Sequence, residues 1–287
     1  MTECFFDCPD ALRATLDIAA QCEPALRPGE HHLPAFETPT GETAQAMLRR
    51  LVWEGARRRY GMVTPVIRQR LEHELGVISQ LGFDDYFLIV WDLLDYADRR
   101  GIRHAGRGSA ADSAVAYCLG ITSVDAIQRG LLFERFMSLE RAAMPDIDID
   151  FEAEKRDDVM HYVLRKYGQE HVAGVATYNT FRARSAVRDL GKAMGLPPEE
   201  IDRLARHMPY CSAEAIEEAF DRYPELRDSG LPRERYEQLL RISRVLAGFP
   251  RHLSTHLGGL VITREPLLDL TPVQMAAKDI PVIQSDK

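Results

Sequence analysis

Apolar residues recur at helical spacing along most of the chain. Leu12, Leu16 and Ala19 predict one helix within the first 23 residues, and the Pro-bearing stretch from Pro24 to Pro39 then reads as extended. Residues 1–40 are accordingly taken as a linker leaving a preceding domain. A helix is expected from about Glu42 to Arg59, and another from Thr64 and Pro65, a capping residue with proline at the first helical position. Ile67, Leu71, Leu75 and Ile78 line the buried face of that second helix, and Gly82 stops it. A third begins at Asp84 or Asp85 and runs to about Arg100, with Gly101 as its stop.

The period then changes. Gly106 to Ser109 reads as a tight loop opening a short helix, Ala110 to Leu119, that ends at Gly120. From Pro145 to Phe151, Asp alternates with Ile, the period of a strand. Helical patterns dominate from there to about Ala247, apart from a short strand near Val172 to Thr177, and strand-like runs return at Leu257 to Thr263 and Pro281 to Ser285. A helical block thus separates strands that need to pair in one sheet, which predicts an α+β fold with a helical insertion. Neither a repeat nor a low-complexity tract breaks the pattern.

With 287 residues, 45% hydrophobic and 28% charged, the chain can bury one large core or two smaller ones. Its longest apolar stretches, such as Tyr86 to Trp91, fall far short of the roughly 18 residues of a membrane span, and Thr2, Glu3 and Cys4 do not open a signal peptide. A cytoplasmic protein without membrane partners is the expectation. Five scattered cysteines without a C-x-x-C pair read as free thiols. The net charge of -8 argues against a nucleic-acid partner, since such domains are usually basic. The basic residues are clustered, however, at Arg57 to Arg59, at Arg99, Arg100 and Arg103, and at Arg182, Arg184 and Arg188. Each cluster is either a solvated helix face or a local basic stripe.

On a strand, residues at i, i+2 and i+4 face one way, so Asp146, Asp148 and Asp150 place three carboxylates on one face. Hard divalent cations such as magnesium take oxygen ligands, and a two-metal site holds its ions about 3.5–4 Å apart, within reach of neighbouring carboxylates. A calcium loop needs Gly at its sixth position and Glu at its twelfth, where this chain has Phe151 and Asp157. An edge strand carrying Asp against aggregation is the structural alternative. Gly106-Arg107-Gly108-Ser109 before a helix can present amides, a hydroxyl and a cation to a phosphate, although it lacks the Lys-Ser/Thr ending of a Walker A loop and suits a simple cap equally well. His252 and His256 have the i, i+4 spacing of zinc ligands on a helix, but Gly258 and Gly259 follow at once, which favours a turn into a strand.

The order of these segments resembles the bacterial C-family DNA polymerases, represented by the alpha subunit of DNA polymerase III. The resemblance is carried by Gly82-Phe83 through Tyr86-Phe87-Leu88-Ile89-Val90, Gly106 to Ser109, Leu131-Leu132-Phe133-Glu134-Arg135-Phe136 and Met144 to Phe151. It continues through Arg188-Asp189 with Gly191, His256 with Gly258-Gly259, and Val282 to Lys287. The resemblance implies a polymerase beta-like nucleotidyltransferase palm over 41–177 and 251–287, with a helical thumb inserted over 178–250. It further implies that Asp146 and Asp148 are catalytic carboxylates holding two magnesium ions, with Asp150 in a supporting role. Arg107, Gly108, Ser109 and Arg135 would bind the incoming deoxynucleoside triphosphate. Arg182, Arg184, Arg188, His252 and His256 would face primer-template DNA, and a sliding clamp would be engaged through regions outside this chain.

In that family a polymerase-and-histidinol-phosphatase domain precedes the palm and a third catalytic Asp follows from a later strand. By that resemblance the chain is a palm and thumb fragment with an incomplete second palm part, expected to bind nucleotide weakly and not to extend a primer by itself. The wording of Gly108 to Ser113 and of Pro250 to His256 is closer to the error-prone paralogues than to the replicative enzyme. A non-catalytic DNA-binding module that keeps the fold is the competing class, as is a nucleotidyltransferase with another acceptor.

Overall fold

A computed structural model describes residues 3–22, 33–39, 41–140, 144–227, 230, 232–276 and 279–286. The chain divides into two compact units, Met1–Leu33 and Pro34–Lys287. In the first, α1 (Pro9–Gln21) forms where the apolar spacing predicts it. Most of the stretch expected to be extended, from Pro24 onward, lies outside the described residues, whereas 33–38 carry no regular structure. The linker expected over 1–40 therefore spans the boundary between the units, and Phe36, buried in the second, donates its amide N–H to Asp85 Oδ1 at 2.7 Å.

The second unit opens with α2 (Ala44–Tyr60), α3 (Pro65–Gln80) and α4 (Asp84–Arg99). Thr43 and Thr64 cap α2 and α3 by accepting amide hydrogen bonds, as Ser/Thr at an N-cap should. Leu48, Leu71, Ile78 and Leu88 are fully buried, so the apolar stripes read from the sequence are the core-facing ones. Then come β1 (His104–Arg107), a 3-10 turn over Gly108–Asp112, α5 (Ala114–Leu119), a second 3-10 turn over Phe133–Arg135, β2 (Asp148–Phe151) and α6 (Arg156–Tyr167).

The remainder comprises β3 (Val172–Thr180), α7 (Ala183–Ala193), α8 (Pro198–His207), α9 (Ile216–Arg222), α10 (Pro224–Arg227), α11 (Arg233–Val245), β4 (Pro250–Ile262), α12 (Leu267–Leu270), β5 (Val273–Met275) and β6 (Pro281–Asp286). Four of the strands form a sheet in the order β4-β3-β6-β5, with β3 antiparallel to β4 and parallel to β6. Alternate residues of β3 serve opposite faces: Val172 joins Val163 and Leu164 of α6, and Ala173 joins Leu267 and Ile283. The single sheet expected from the sequence is instead two, because β2 pairs with β1, a strand that the sequence pattern had hidden in a loop.

The helices α7 to α11 have a hydrophobic cluster of their own, including Val187, Leu204, Ile216, Phe220, Tyr236 and Leu240. The expected boundary at Tyr178 falls inside β3, which runs to Thr180, and the boundary at 250–251 falls inside β4. The helical block proper is therefore Ala183 to Val245. No helix among the described residues is long and apolar enough to cross a membrane.

Candidate active site

In the antiparallel β1–β2 ladder, Arg107 stands opposite Asp148, Gly106 opposite Ile149 and Ala105 opposite Asp150. Asp146, Asp148 and Asp150 are exposed, while Ile147, Ile149 and Phe151 are half-buried, so the alternation continues upstream of the strand itself. Phe151 holds the other face down by packing against Ala97, Ile102 and Val159. The first two carboxylates both bear on Tyr86 of α4. Burial pushes its phenol up to about 12, a backbone hydrogen bond from Ile147 opposes this, and the charges of both Asp146 and Asp148 push it further up. The Tyr86 hydroxyl thus feels the charge of both carboxylates.

The turn beside them depends on two glycines. A Cβ at Gly106 would meet the Ile121 carbonyl oxygen at 2.0 Å, so only glycine lets β1 lie against that carbonyl. Gly108 has φ of 75°, and a Cβ there would stand 4.0 Å from Asp148 Oδ2. The turn carrying Gly108 and Ser109 thus borders the acidic face. Arg107 Nε lies 3.1 Å from Asp150 Oδ1, diagonally across the ladder, so in this structure Asp150 is paired with a cation while Asp146 and Asp148 share Tyr86. Arg135 Nε lies 3.9 Å from Asp112 Oδ2 at the far end of the same turn.

The helix expected to start at Ala110 starts at Ala114 instead, and its N-cap is Ser113 rather than Ser109. Its first amides are not open to a ligand. Ala114 and Val115 N–H donate to Glu74 of α3 at 3.1 and 3.0 Å, and Ser113 Oγ donates to it at 2.7 Å. Any phosphate contact falls to the preceding 3-10 turn, whose Gly108 and Ser109 are exposed.

The five residues expected to face DNA do not act as a set. Arg182 and His252 line a groove of about 450 Å³ together with Tyr178, Asn179, Ser185 and Arg251. Arg182 lies over the exposed ring of Tyr210 at 4.8 Å. Arg184 instead donates from Nε to the Met208 carbonyl at 2.8 Å, and Arg188 pairs with Asp202. His256 accepts a hydrogen bond from the Gly258 amide at 3.2 Å, and both histidines lie on β4, where i, i+4 residues are far apart for one metal ion. Arg251, absent from the expected set, reaches Asp189 with both Nε (2.7 Å) and a terminal nitrogen (3.3 Å), which holds the Asp189 carboxyl below its usual value.

Among the described residues, no cluster of three or more His, Cys, Asp or Glu is arranged to hold a metal ion. Asp146 and Asp148 nevertheless have the chemistry of hard-cation donors, since they are exposed carboxylates at alternate positions with no cation paired to either within salt-bridge distance among the described contacts. Two participants escaped the sequence reading. Tyr86 lies in a half-buried stretch of α4 that looked like core, and Glu74 sits on the same face of α3 as Leu71, Leu75 and Ile78. A carboxylate interrupting an apolar stripe was the signal for the second.

Residues 46–287 match the family model described as the bacterial DNA polymerase III alpha NTPase domain. The chain is 59% identical, over its whole length, to an error-prone DNA polymerase of Symbiobacterium thermophilum, of which it covers 26%. It is 44% identical to a DNA polymerase III subunit alpha of Bacillus subtilis over 96% of the chain and 25% of that protein. An error-prone DNA polymerase of Aromatoleum aromaticum is 46% identical over 97% of the chain and 26% of its own length. The chain thus spans about a quarter of the length of the curated relatives it matches.

Proposed function

Since the chain belongs to the bacterial DNA polymerase III alpha family, we propose that it carries the catalytic carboxylates and nucleotide-binding turn of a template-directed DNA polymerase. The observation that carries this reading is the exposed acidic face of Asp146 and Asp148, with the Gly108 turn bordering Asp148 at the end of the β1–β2 ladder. In this reading the two sheets with α2 to α6 form a nucleotidyltransferase palm, and the block Ala183–Val245 is a thumb inserted between β3 and β4. Cytoplasmic replication or repair is the setting, with primer-template DNA and deoxynucleoside triphosphates as substrates and a sliding clamp bound through other parts of the polymerase. The identity to error-prone relatives supports the error-prone branch.

Asp146 and Asp148 would hold two magnesium ions. When bound, magnesium supplies the positive charge that favours ionisation of the primer 3′ hydroxyl and offsets charge on the phosphates. The exposed turn at Gly108 and Ser109 binds the triphosphate through its N–H groups and hydroxyl. Arg107 leaves Asp150 to meet the triphosphate charge, and Arg135 approaches from the second 3-10 turn. Orientation sets the primer oxygen in line with the α-phosphorus, so that its new bond forms as the bond to pyrophosphate breaks.

Primer extension tests this reading, using a primer-extending polypeptide that contains these residues. Asp146→Asn or Asp148→Asn should lower the turnover rate by more than about 100-fold, since even the outer partners of metal ligands are worth 10–100-fold. DNA affinity should stay within a few-fold. Retention of wild-type extension by both variants would leave a non-catalytic DNA-binding role for the domain.

A further inference from the structure

One face of α3 carries Arg70, His73 and Glu74 at i, i+3 and i+4, and all three reach the loops that hold the nucleotide-binding residues. The Glu74 side chain is fully buried, a costly place for a carboxylate unless its lone pairs are satisfied. Here they are. Oε1 receives Arg70 Nε at 2.6 Å and the Ala114 amide at 3.1 Å, while Oε2 receives Ser113 Oγ at 2.7 Å and the Val115 amide at 3.0 Å. The Ser113 hydroxyl also accepts from the Ala116 amide at 3.0 Å, and the Ser113 amide donates to the Ala110 carbonyl at 3.3 Å, closing the 3-10 turn.

Arg70 extends the same anchor to a second loop. One of its terminal nitrogens donates to the Asp112 carbonyl at 3.2 Å and to the Leu131 carbonyl at 2.9 Å. Asp112 ends the turn that begins at Gly108, and Leu131 leads into the turn that holds Arg135. His73 Nε2 lies 3.0 Å from Glu134 Oε1, the residue before Arg135. Both loops are therefore tied from behind while their front edges, at Gly108, Ser109 and Arg135, stay exposed.

We propose that Glu74 and Arg70 are positioning residues for the incoming nucleotide, fixing the Gly108–Asp112 turn and the Arg135 turn in one geometry before the triphosphate arrives. The proposal rests on the polymerase reading above. Its mechanism is preorganisation: a turn already held in its binding geometry loses less entropy when the triphosphate binds. Loss of the anchor should then weaken nucleotide capture more than it slows the bond-forming step.

Glu74→Gln keeps the shape but loses the charge and presents donors where acceptors are required. In a primer-extending polypeptide containing this chain, it should raise the KM for deoxynucleotide at least about ten-fold while kcat changes less than about three-fold. Arg70→Lys, which keeps the charge but has one nitrogen in place of the two that separately hold Glu74 and the carbonyls, should raise KM in the same sense. In the 287-residue chain, both should speed hydrogen exchange at the amides of 108–112 while those of α11 keep their protection.

A purely structural role would lower the melting temperature and the active fraction, hence apparent kcat, and leave KM alone. That outcome overturns the proposal, as does unchanged exchange in the turn of either folded variant. If Glu74→Gln does not fold, Arg70→Lys decides on the same criteria. Asp148→Asn, measured alongside, separates the two levels: full extension by that variant overturns the catalytic reading, while the exchange experiment still judges the anchor.

Discussion

Replacing Gly106 by Ala and, separately, Gly108 by Ala should give opposite balances of stability and function, although the two lie two residues apart. At Gly106 the new Cβ would sit 2.0 Å from the Ile121 carbonyl oxygen and 2.9 Å from its carbon, both backbone atoms that no rotamer change can move. Ordinary carbon contacts need roughly 3.5 Å, so β1 must retreat by about 1 Å or more from Ile121. Overpacking of that kind costs about 1–3 kcal/mol, which for a unit of this size lowers the melting temperature by roughly 2–12 °C. The retreat also drags Arg107 and the β1–β2 ladder with it. At Gly108 nothing collides, since the nearest atom, Asp148 Oδ2, is 4.0 Å away, and the cost is the strain of φ 75° in a residue with a side chain, about 1–2 kcal/mol. The added methyl, however, projects toward the acidic face where the triphosphate is proposed to lie. Differential scanning fluorimetry and nucleotide KM measured on both variants would separate the effects. Gly106→Ala should lose more stability, and Gly108→Ala should raise KM more per degree lost. A Gly106→Ala protein that melts like the parent would refute the close approach of β1 to Ile121.

Three further outcomes follow from the geometry. Leu204→Ala removes a fully buried side chain from the separate core of the helical block, so it should destabilise α7 to α11 by about 2–5 kcal/mol, seen as faster exchange in those helices with α2 to α4 still protected. Arg182→Ala should lower the salt slope of DNA binding by about one, whereas Arg184→Ala, which removes the Nε hydrogen bond to the Met208 carbonyl outside the groove, should reduce stability and change the slope less; identical slopes for wild type and Arg182→Ala would exclude the groove as a phosphate contact. Because Arg251 holds the folded Asp189 carboxyl below its usual 3.8, the tie between α7 and β4 is intact above that pH and is lost as pH falls through the lower folded value. An acid titration followed by NMR of the Asp189 carboxyl should show that depression, and Arg251→Gln should remove most of it, leaving the smaller contributions of Lys192 and His252.

Much of the helical layout was written in local signals, because Thr64 before Pro65 and glycines at 82 and 101 act through the backbone of their own turn. The alternation at Asp146 to Phe151 likewise identified the acidic face before any partner strand was known. What could not be read was pairing at long range. β1 is four residues containing Gly106 and looks like a loop until β2 lies beside it. The anion-binding end of α5 is filled by a ligand that local sequence does not show, because the Glu74 carboxylate comes from 39 positions upstream of Ser113. The arginines of the 182–188 cluster divide for the same reason: Arg182 reaches a groove, while Arg184 and Arg188 meet partners that α8 and the residues after it bring to them.

Terbium luminescence tests most directly whether Asp146 and Asp148 form a hard-cation site near Tyr86. Terbium binds oxygen ligands as magnesium and calcium do, and it emits when an aromatic ring close by absorbs the exciting light. With Tyr86 sharing the field of both carboxylates, terbium added to the 287-residue chain should emit on excitation of tyrosine, and magnesium should compete the emission away. Tyr86→Phe should remove most of that signal with terbium still bound, and Asp146→Asn with Asp148→Asn should remove the binding itself. Emission that survives the double Asp substitution unchanged would contradict the assignment of the site.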